Sequence, residues 1–253
     1  MVDDTPHDTL DRRSLLQSLG AATVGGLSLS MLDADIVHGI RPESVDDDAV
    51  DWAADGDPET TYPLSVASGG PTPSGVILWT KVASDAYDDE RPVYVQVAED
   101  EAFSNVVYEG RVGNDRVSAA HDHVVKVDVD GELPADSHLH YRFHHAGTTS
   151  RVGRCRTLPP ADASPNRVRL AVVTCQSFQQ GFYPAYGHIA DDDVDYIVHL
   201  GDQIYEYAGE GYASPGDEFD DRSVALPSGH DIAWTLEDFR HLWRTYRGDE
   251  FFR

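Results

Sequence analysis

Apolar and polar residues alternate with a period of two through much of residues 61–160. In HVVKVDVD, Val125, Val127 and Val129 fall on one side and Lys126, Asp128 and Asp130 on the other, as in an antiparallel strand with one buried face. PVYVQVA repeats the pattern with Val93, Val95 and Val97. GVILWT, NVVYEGRV, LHYRFHH and RVGRCRT are further short runs, separated by Gly, Asp and Pro. About seven such strands in about 100 residues predict a β-sandwich of immunoglobulin or fibronectin III type. LPPADASPN closes the block as a Pro-rich linker.

From residue 167 the period changes. VRLAVVTC and VDYIVHLGD are near-continuous apolar runs, the pattern of strands covered on both faces. YPAYGHIADDD between them reads as a short helix, giving a β-α-β unit with a parallel strand pair. TLEDFRHLWRTYR places Phe239, Leu242, Trp243 and Tyr246 on one helical face, and Thr235 with Asp238 forms a capping box. Two strands and two helices do not make a covered α/β layer, so residues 167–253 are expected to be the incomplete start of a second domain.

The first 32 residues contain Arg12-Arg13 followed by an interrupted stretch rich in Gly and Ser. The stretch is too rich in small residues for a stable membrane span, and the paired arginines fit a twin-arginine export signal. The expected partner is the twin-arginine export machinery and the expected location is outside the cell or at its surface. Residues 33–60 are acidic and aperiodic and read as a linker.

Charge narrows the function classes. The formal net charge is −26 over 253 residues, and Lys81 and Lys126 are the only lysines. Such a surface suits high salt, where the Debye length falls to ~3 Å at 1 M, and predicts a halophile's protein. It argues against a nucleic-acid partner, which requires Lys and Arg clusters. The 40% hydrophobic content and the strand periodicity exclude a disordered acidic chain. No P-loop, GxSxG or GxGxxG pattern occurs, so nucleotide-loop and serine-hydrolase chemistry is not indicated.

Candidate chemistry lies where the two apolar runs end. Ligands of α/β sheets bind beyond the carboxyl ends of the strands. There the chain offers Cys175 after LAVVT, Asp202 after IVHLG, and Tyr205 three residues on. Parallel neighbours would bring these side chains to one edge, and thiolate, carboxylate and phenolate together suit a highly charged transition metal. A carboxylate can also bridge two metals ~3.5–4 Å apart, as in two-metal phosphoryl chemistry. The plainer alternatives are a small apolar filler for the Cys, a turn former for the Asp and a packed ring for the Tyr.

The segments YPLSVASGGPTPSGVILWTKV and RLAVVTCQSFQQGFYPAYGHIADDDVDYIVHLGDQIYEY, with the twin-arginine start, resemble the alkaline phosphatase D (PhoD) family, in a haloarchaeal-like form. The resemblance covers nearly the whole chain. It implies a mixed fold, with an all-β fibronectin III-like sandwich followed by a metallophosphoesterase domain of αββα type. It also implies hydrolysis of phosphate mono- and diesters outside the membrane. The family pattern would put ferric iron on Cys175 and Tyr205, calcium nearby, and Asp202 between the metals. Gln203 stands where the family usually has an aromatic residue. The family's later Asn, Asp and His motifs and its phosphate-binding Arg do not occur in residues 1–253. A C-terminally truncated form with little or no activity is therefore expected. The rival reading is a non-enzymatic remnant or a β-sandwich interaction module.

Other candidates carry less. His121 with His123, and His138 with His140, sit two apart in expected strands, where solvated positions are commoner than metal pairs. His199 reads as a hydrogen-bonded core group, Glu206 as a neighbour of the site or an exposed residue, and Arg154 and Arg156 as solvated charges at a strand edge. Cys155 reads as strand packing, and nothing in the spacing favours a disulfide with Cys175.

Overall fold

The computed structural model describes residues 39–45, 50–208, 219 and 222–253. Arg12 and Arg13, with the whole expected export signal, lie outside the described residues. The structure is mostly β-sheet with few helices.

The alternating runs form two antiparallel sheets. One has the order β1 (Glu43–Ser44), β5 (Val106–Val112), β4 (Val93–Ala98), β7 (His138–His145), β8 (Thr148–Thr149), with β9 (Gly153–Arg156) also on β7. The other is β2 (Val66–Thr72), β3 (Gly75–Lys81), β6 (Val124–Asp128). Val76, Leu78, Val125 and Val127 from the second sheet meet Val93, Val95, Val97, Leu139, Tyr141 and Phe143 from the first in one buried cluster. The period of two thus becomes a sandwich core, each strand giving every second side chain to the interior. Gly153 stands opposite Tyr141 in the β7–β9 ladder, and a Cβ there would overlap the Tyr141 ring. Cys155 is buried and free, packed as expected, and burial pushes its thiol up to about 12.

Part of the stretch expected as linker belongs to this sandwich. The Ile40 N–H donates to the Lys126 carbonyl at 2.7 Å, and the Asp128 N–H donates to the Ile40 carbonyl at 2.8 Å. Ile40 therefore lies along the free edge of β6 and is buried, and Asp128, expected outside, is buried with it. Asp57 caps a short helix, α1 (Pro58–Thr61), which leads into β2. The acidic composition hid these contacts because only one apolar residue makes them.

The histidine pairs are corrected. His121 ends a 3-10 turn, Ala119–His121, and β6 begins only at Val124, so His121 and His123 do not share a strand face. His123 instead packs on Tyr87 at 4.6 Å between ring centroids, and His145 stacks on the same ring at 5.0 Å. His145 Nε2 accepts the Asp88 N–H at 2.9 Å. His138 and His140 do share a face of β7, but Arg156 and Arg154 stand opposite them, which opposes binding a cation.

The second block contains β10 (Leu170–Val173), the crossover helix α2 (Pro184–Asp191) and β11 (Tyr196–His199), with β10 and β11 parallel from Leu170↔Tyr196 to Val173↔His199. The β-α-β topology is as read, but the expected burial is not. Val168, Leu170, Val172, Ile197, Val198 and Leu200 are all exposed, from 38% to 66%. Among the described residues no layer covers this two-stranded sheet, so the apolar runs meet water.

Helix α3 (Leu236–Arg247) carries the predicted capping box in full. Burial would raise the Asp238 pKa, but the N–H groups of Ser228, Thr235 and Trp234 outweigh it and hold the carboxyl below the usual carboxylate range. The helix buries Leu242 and Tyr246 as expected, whereas Phe239 is exposed. Its last turn grips the sandwich. Arg244 Nη1 reaches both Asp122 oxygens at 3.0 Å, and Lys81 Nζ approaches the same carboxylate at 3.4 Å. Arg247 Nη2 donates to the Leu64 carbonyl at 3.1 Å. Arg156 pairs with Asp136 at 2.8 Å and with Asp195, and Arg154 Nη2 donates to the Ala190 carbonyl at 2.8 Å. These two arginines are thus ties between sandwich and β-α-β unit rather than solvated charges.

Two stability outcomes are expected. Burial holds the His123 and His145 pKa values below the ordinary imidazole value near 6.5, so the unfolded chain takes up protons that the folded chain refuses. Their contribution is complete above about pH 6.5 and is lost as pH falls below it toward the folded-state values. His145→Gln keeps an acceptor for Asp88 and cannot be charged, so its urea midpoint should fall less than the wild-type midpoint between pH 7 and pH 5. Asp122→Asn leaves Lys81, whose side chain is 5% exposed, without its counter-charge. Urea unfolding should show a loss of about 3 kcal/mol.

Candidate functional site

The site forms where β10 and β11 end. Backbone bonding continues two and three residues beyond the strand ends: the Cys175 N–H donates to the Gly201 carbonyl at 3.2 Å, and the Gln176 N–H donates to the Asp202 carbonyl at 3.1 Å. Both candidate donors then take the left-handed conformation, Cys175 at φ 55° and Asp202 at φ 58°. Side chains other than Gly adopt it at a cost of about 1–3 kcal/mol, and such costs gather at functional positions. The same kink on adjacent strands sends both side chains to one point.

There the Cys175 thiol donates to Asp202 Oδ2 at 3.4 Å, and the Tyr205 phenol donates to the same oxygen at 3.1 Å. Thr174 Oγ1 lies 3.3 Å from the thiol sulfur. The hydrogen bond with Cys175, burial, and the hydrogen bond with Asp202 together raise the Tyr205 pKa above the ordinary phenol value. In the protein alone, the phenol thus keeps its proton and points it at Asp202. Cys175, Asp202 and Tyr205, predicted from three separate sequence positions, are brought into one cluster.

The loop bearing Tyr205 is braced from behind. The Tyr205 N–H donates to Tyr246 Oη on α3 at 3.4 Å. Tyr207 pairs with Ile232 in an antiparallel bridge, flanked by Ala208 N–H to the Asp231 carbonyl and Ala233 N–H to the Glu206 carbonyl, each at 2.8 Å. Glu206 thus enters the loop through its backbone. His199 lies half-buried beside the site, its Nδ1 accepting the Gly201 N–H at 3.1 Å. Burial lowers its pKa. Sequence reasoning passed over Gln176, a buried amide directly after Cys175. A lone Gln has no periodicity to mark it; adjacency to a donor at a strand end was its only signal.

The donor set suits a metal. A thiol and a phenol converge on one carboxylate oxygen, and all three groups are anionic ligands once deprotonated. Among the described residues, no group of three or more His, Cys, Asp or Glu could hold a metal ion. The cluster reaches three potential donors only when the Tyr205 phenol is counted with Cys175 and Asp202.

The left-handed kink gives a direct check. Cys175→Gly and Cys175→Ala both remove the thiol, but only Gly occupies φ 55° without strain. The Gly variant should be more stable than the Ala variant by about 1 kcal/mol in metal-free urea titrations.

Comparison with known proteins sets this geometry in a lineage. Residues 49–159 match the family model of the PhoD-like phosphatase N-terminal domain, and residues 170–253 match that of the PhoD-like phosphatase. Alkaline phosphatase D of Bacillus subtilis (strain 168) is 33% identical over 249 residues, covering 96% of this chain and 39% of that protein. A solved "Structure of PhoD" superposes with a TM-score of 0.65 at 31% identity, over 79% of this chain and 37% of that one. The chain thus spans about two fifths of the length of these relatives. With the two family models matching successive segments that together span most of the chain, the protein belongs to the PhoD-like phosphatase family.

Proposed function

We propose that the chain is the N-terminal part of an exported, metal-dependent phosphoesterase that hydrolyses phosphate mono- and diesters. The observation that carries this reading is the convergence of the Cys175 thiol and the Tyr205 phenol on Asp202 Oδ2, in a chain of this family. Cys175 and Tyr205 would hold ferric iron, and Asp202 would be shared with calcium. Bound there, the metals supply Lewis-acid polarisation of a phosphoryl oxygen.

The chain's own residues prepare the site. Asp202 accepts two hydrogen bonds on one oxygen and presents a carboxylate at the strand end. Cys175 and Tyr205 release their protons when they become ligands, so loading the site releases acid. Tyr246 and the Tyr207–Ile232 bridge fix the Tyr205 loop before any metal arrives. The sandwich, of fibronectin III-like descent in this reading, holds α3 and through it that loop. The β-α-β unit would be the start of an αββα layer whose apolar face remains uncovered among the described residues. The twin-arginine start supports export, and the net charge of −26 supports a high-salt setting.

Three protein donors and an uncovered sheet support metal binding with little turnover by residues 1–253. The test is metal content and phosphodiester hydrolysis on one purified sample, in high salt with iron and calcium supplied, beside Cys175→Ala. Iron should co-purify with the wild type and be lost from the variant, with turnover near background in both. Absence of iron from both would sink the metal assignment and favour a β-sandwich interaction module. Robust turnover by the wild type would overturn the expected inactivity.

A further inference from the structure

Beneath the three donors, one buried side chain joins the loops that carry them. Gln176 is 6% exposed. Its Oε1 accepts from the Tyr186 hydroxyl on α2 and from His199 Nε2 at 3.2 Å. Its Nε2 donates to the Gln203 carbonyl at 3.1 Å. The partners orient the amide, since a backbone carbonyl only accepts and a hydroxyl is free to donate. The His199 tautomer follows in the same way: Nδ1 accepts the Gly201 N–H, which leaves the proton on Nε2 facing Gln176.

We propose that Gln176 is the positioning residue of this site, locking residues 174–176 to residues 201–203 and thereby setting the Cys175 thiol against the Asp202 carboxylate. The proposal rests on the reading of Cys175, Asp202 and Tyr205 as metal ligands and adds the residue that holds them in place. Cys175 adjoins Gln176 directly. Asp202 lies between Gly201, bonded to His199, and Gln203, bonded to Gln176. Every covalent neighbour of the left-handed Asp202 is therefore tied to this one network. Left-handed residues other than Gly persist only where their surroundings over-determine them, and to the two backbone bonds beyond the strands and the Thr174 hydroxyl's bond to the Gly201 carbonyl this network adds a tie on each side of Asp202. A residue needed only to fill space here would be apolar. A buried amide with three side-chain bonds fixes direction as well as volume.

The test uses Gln176→Leu, which keeps much of the volume and removes all three bonds. Gln176→Glu retains the acceptor for Tyr186 and His199 and loses the donor to Gln203. Tyr186→Phe removes one bond without touching either loop. Hydrogen exchange on the metal-free chain reads the locking directly. Titration with ferric citrate, followed by the visible absorption of ferric phenolate, reads the site. Gln176→Leu should accelerate exchange at residues 174–177 and 200–204 by about tenfold or more, with the sandwich unchanged, and weaken ferric binding by about 10- to 100-fold. Gln176→Glu should fall between, and Tyr186→Phe should stay closest to wild type. That graded pair carries the test if the Leu variant fails to fold. Unchanged exchange in both loops overturns the proposal, as does faster exchange with unchanged ferric affinity. A wild type without the absorption band, whose loops still loosen on Gln176→Leu, overturns the metal assignment and supports the locking.

Discussion

The structure hangs on the last two turns of α3. Three contacts within four residues tie the helix to two places: Arg244 to Asp122 and Arg247 to Leu64 on the sandwich, and Tyr246 to the backbone of Tyr205 at the site. The chain runs from the sandwich to the β-α-β unit through an exposed segment, residues 160–168. The helix therefore converts a rigid β-core into a rigid loop at a distance. Its own stability starts at the other end, where Thr235 and Asp238 close the capping box and Asp238 also takes the Ser228 and Trp234 N–H groups.

The arginines show how so acidic a chain holds together. Arg222 is buried, with its guanidinium 4.0 Å from the Phe178 ring centroid and 4.3 Å from that of Phe182, and it pairs with Asp249 at 2.5 Å. Arg247 lies 4.8 Å from the Phe252 ring centroid while bonding the Phe252 and Leu64 carbonyls. A guanidinium is weakly hydrated, planar and able to stack, so it enters such seams where an ammonium would not. Because these contacts are buried, added salt screens them far less than the surface repulsion between carboxylates. High salt therefore weakens the force that opposes compaction more than the forces that favour it.

Much of this was legible from residue pattern. The valines of β4 and β6, the parallel pair, the capping box and the meeting of Cys175, Asp202 and Tyr205 follow from periodicity and from the rule that chemistry sits beyond parallel strand ends. What escaped the pattern had no period. Ile40 adds one residue to an edge, His123 packs from a turn, and Gln176 acts through three hydrogen bonds to residues up to 27 positions away. The burial expected of Val172 and Val198 failed for another reason. An apolar run states what a strand could bury, and the covering layer is a property of other residues.

The ladder of four paired positions between β10 and β11 carries a further consequence. A slip of one residue in a strand pair turns every side chain to the opposite face. Such a slip would set Thr174 or Gln176 where Cys175 now meets the Asp202 loop, and the thiol would look away from the carboxylate. Register is thus part of the site's chemical identity, as much as the donor atoms are. A chain with every required residue but the wrong alignment would have the right composition and no site.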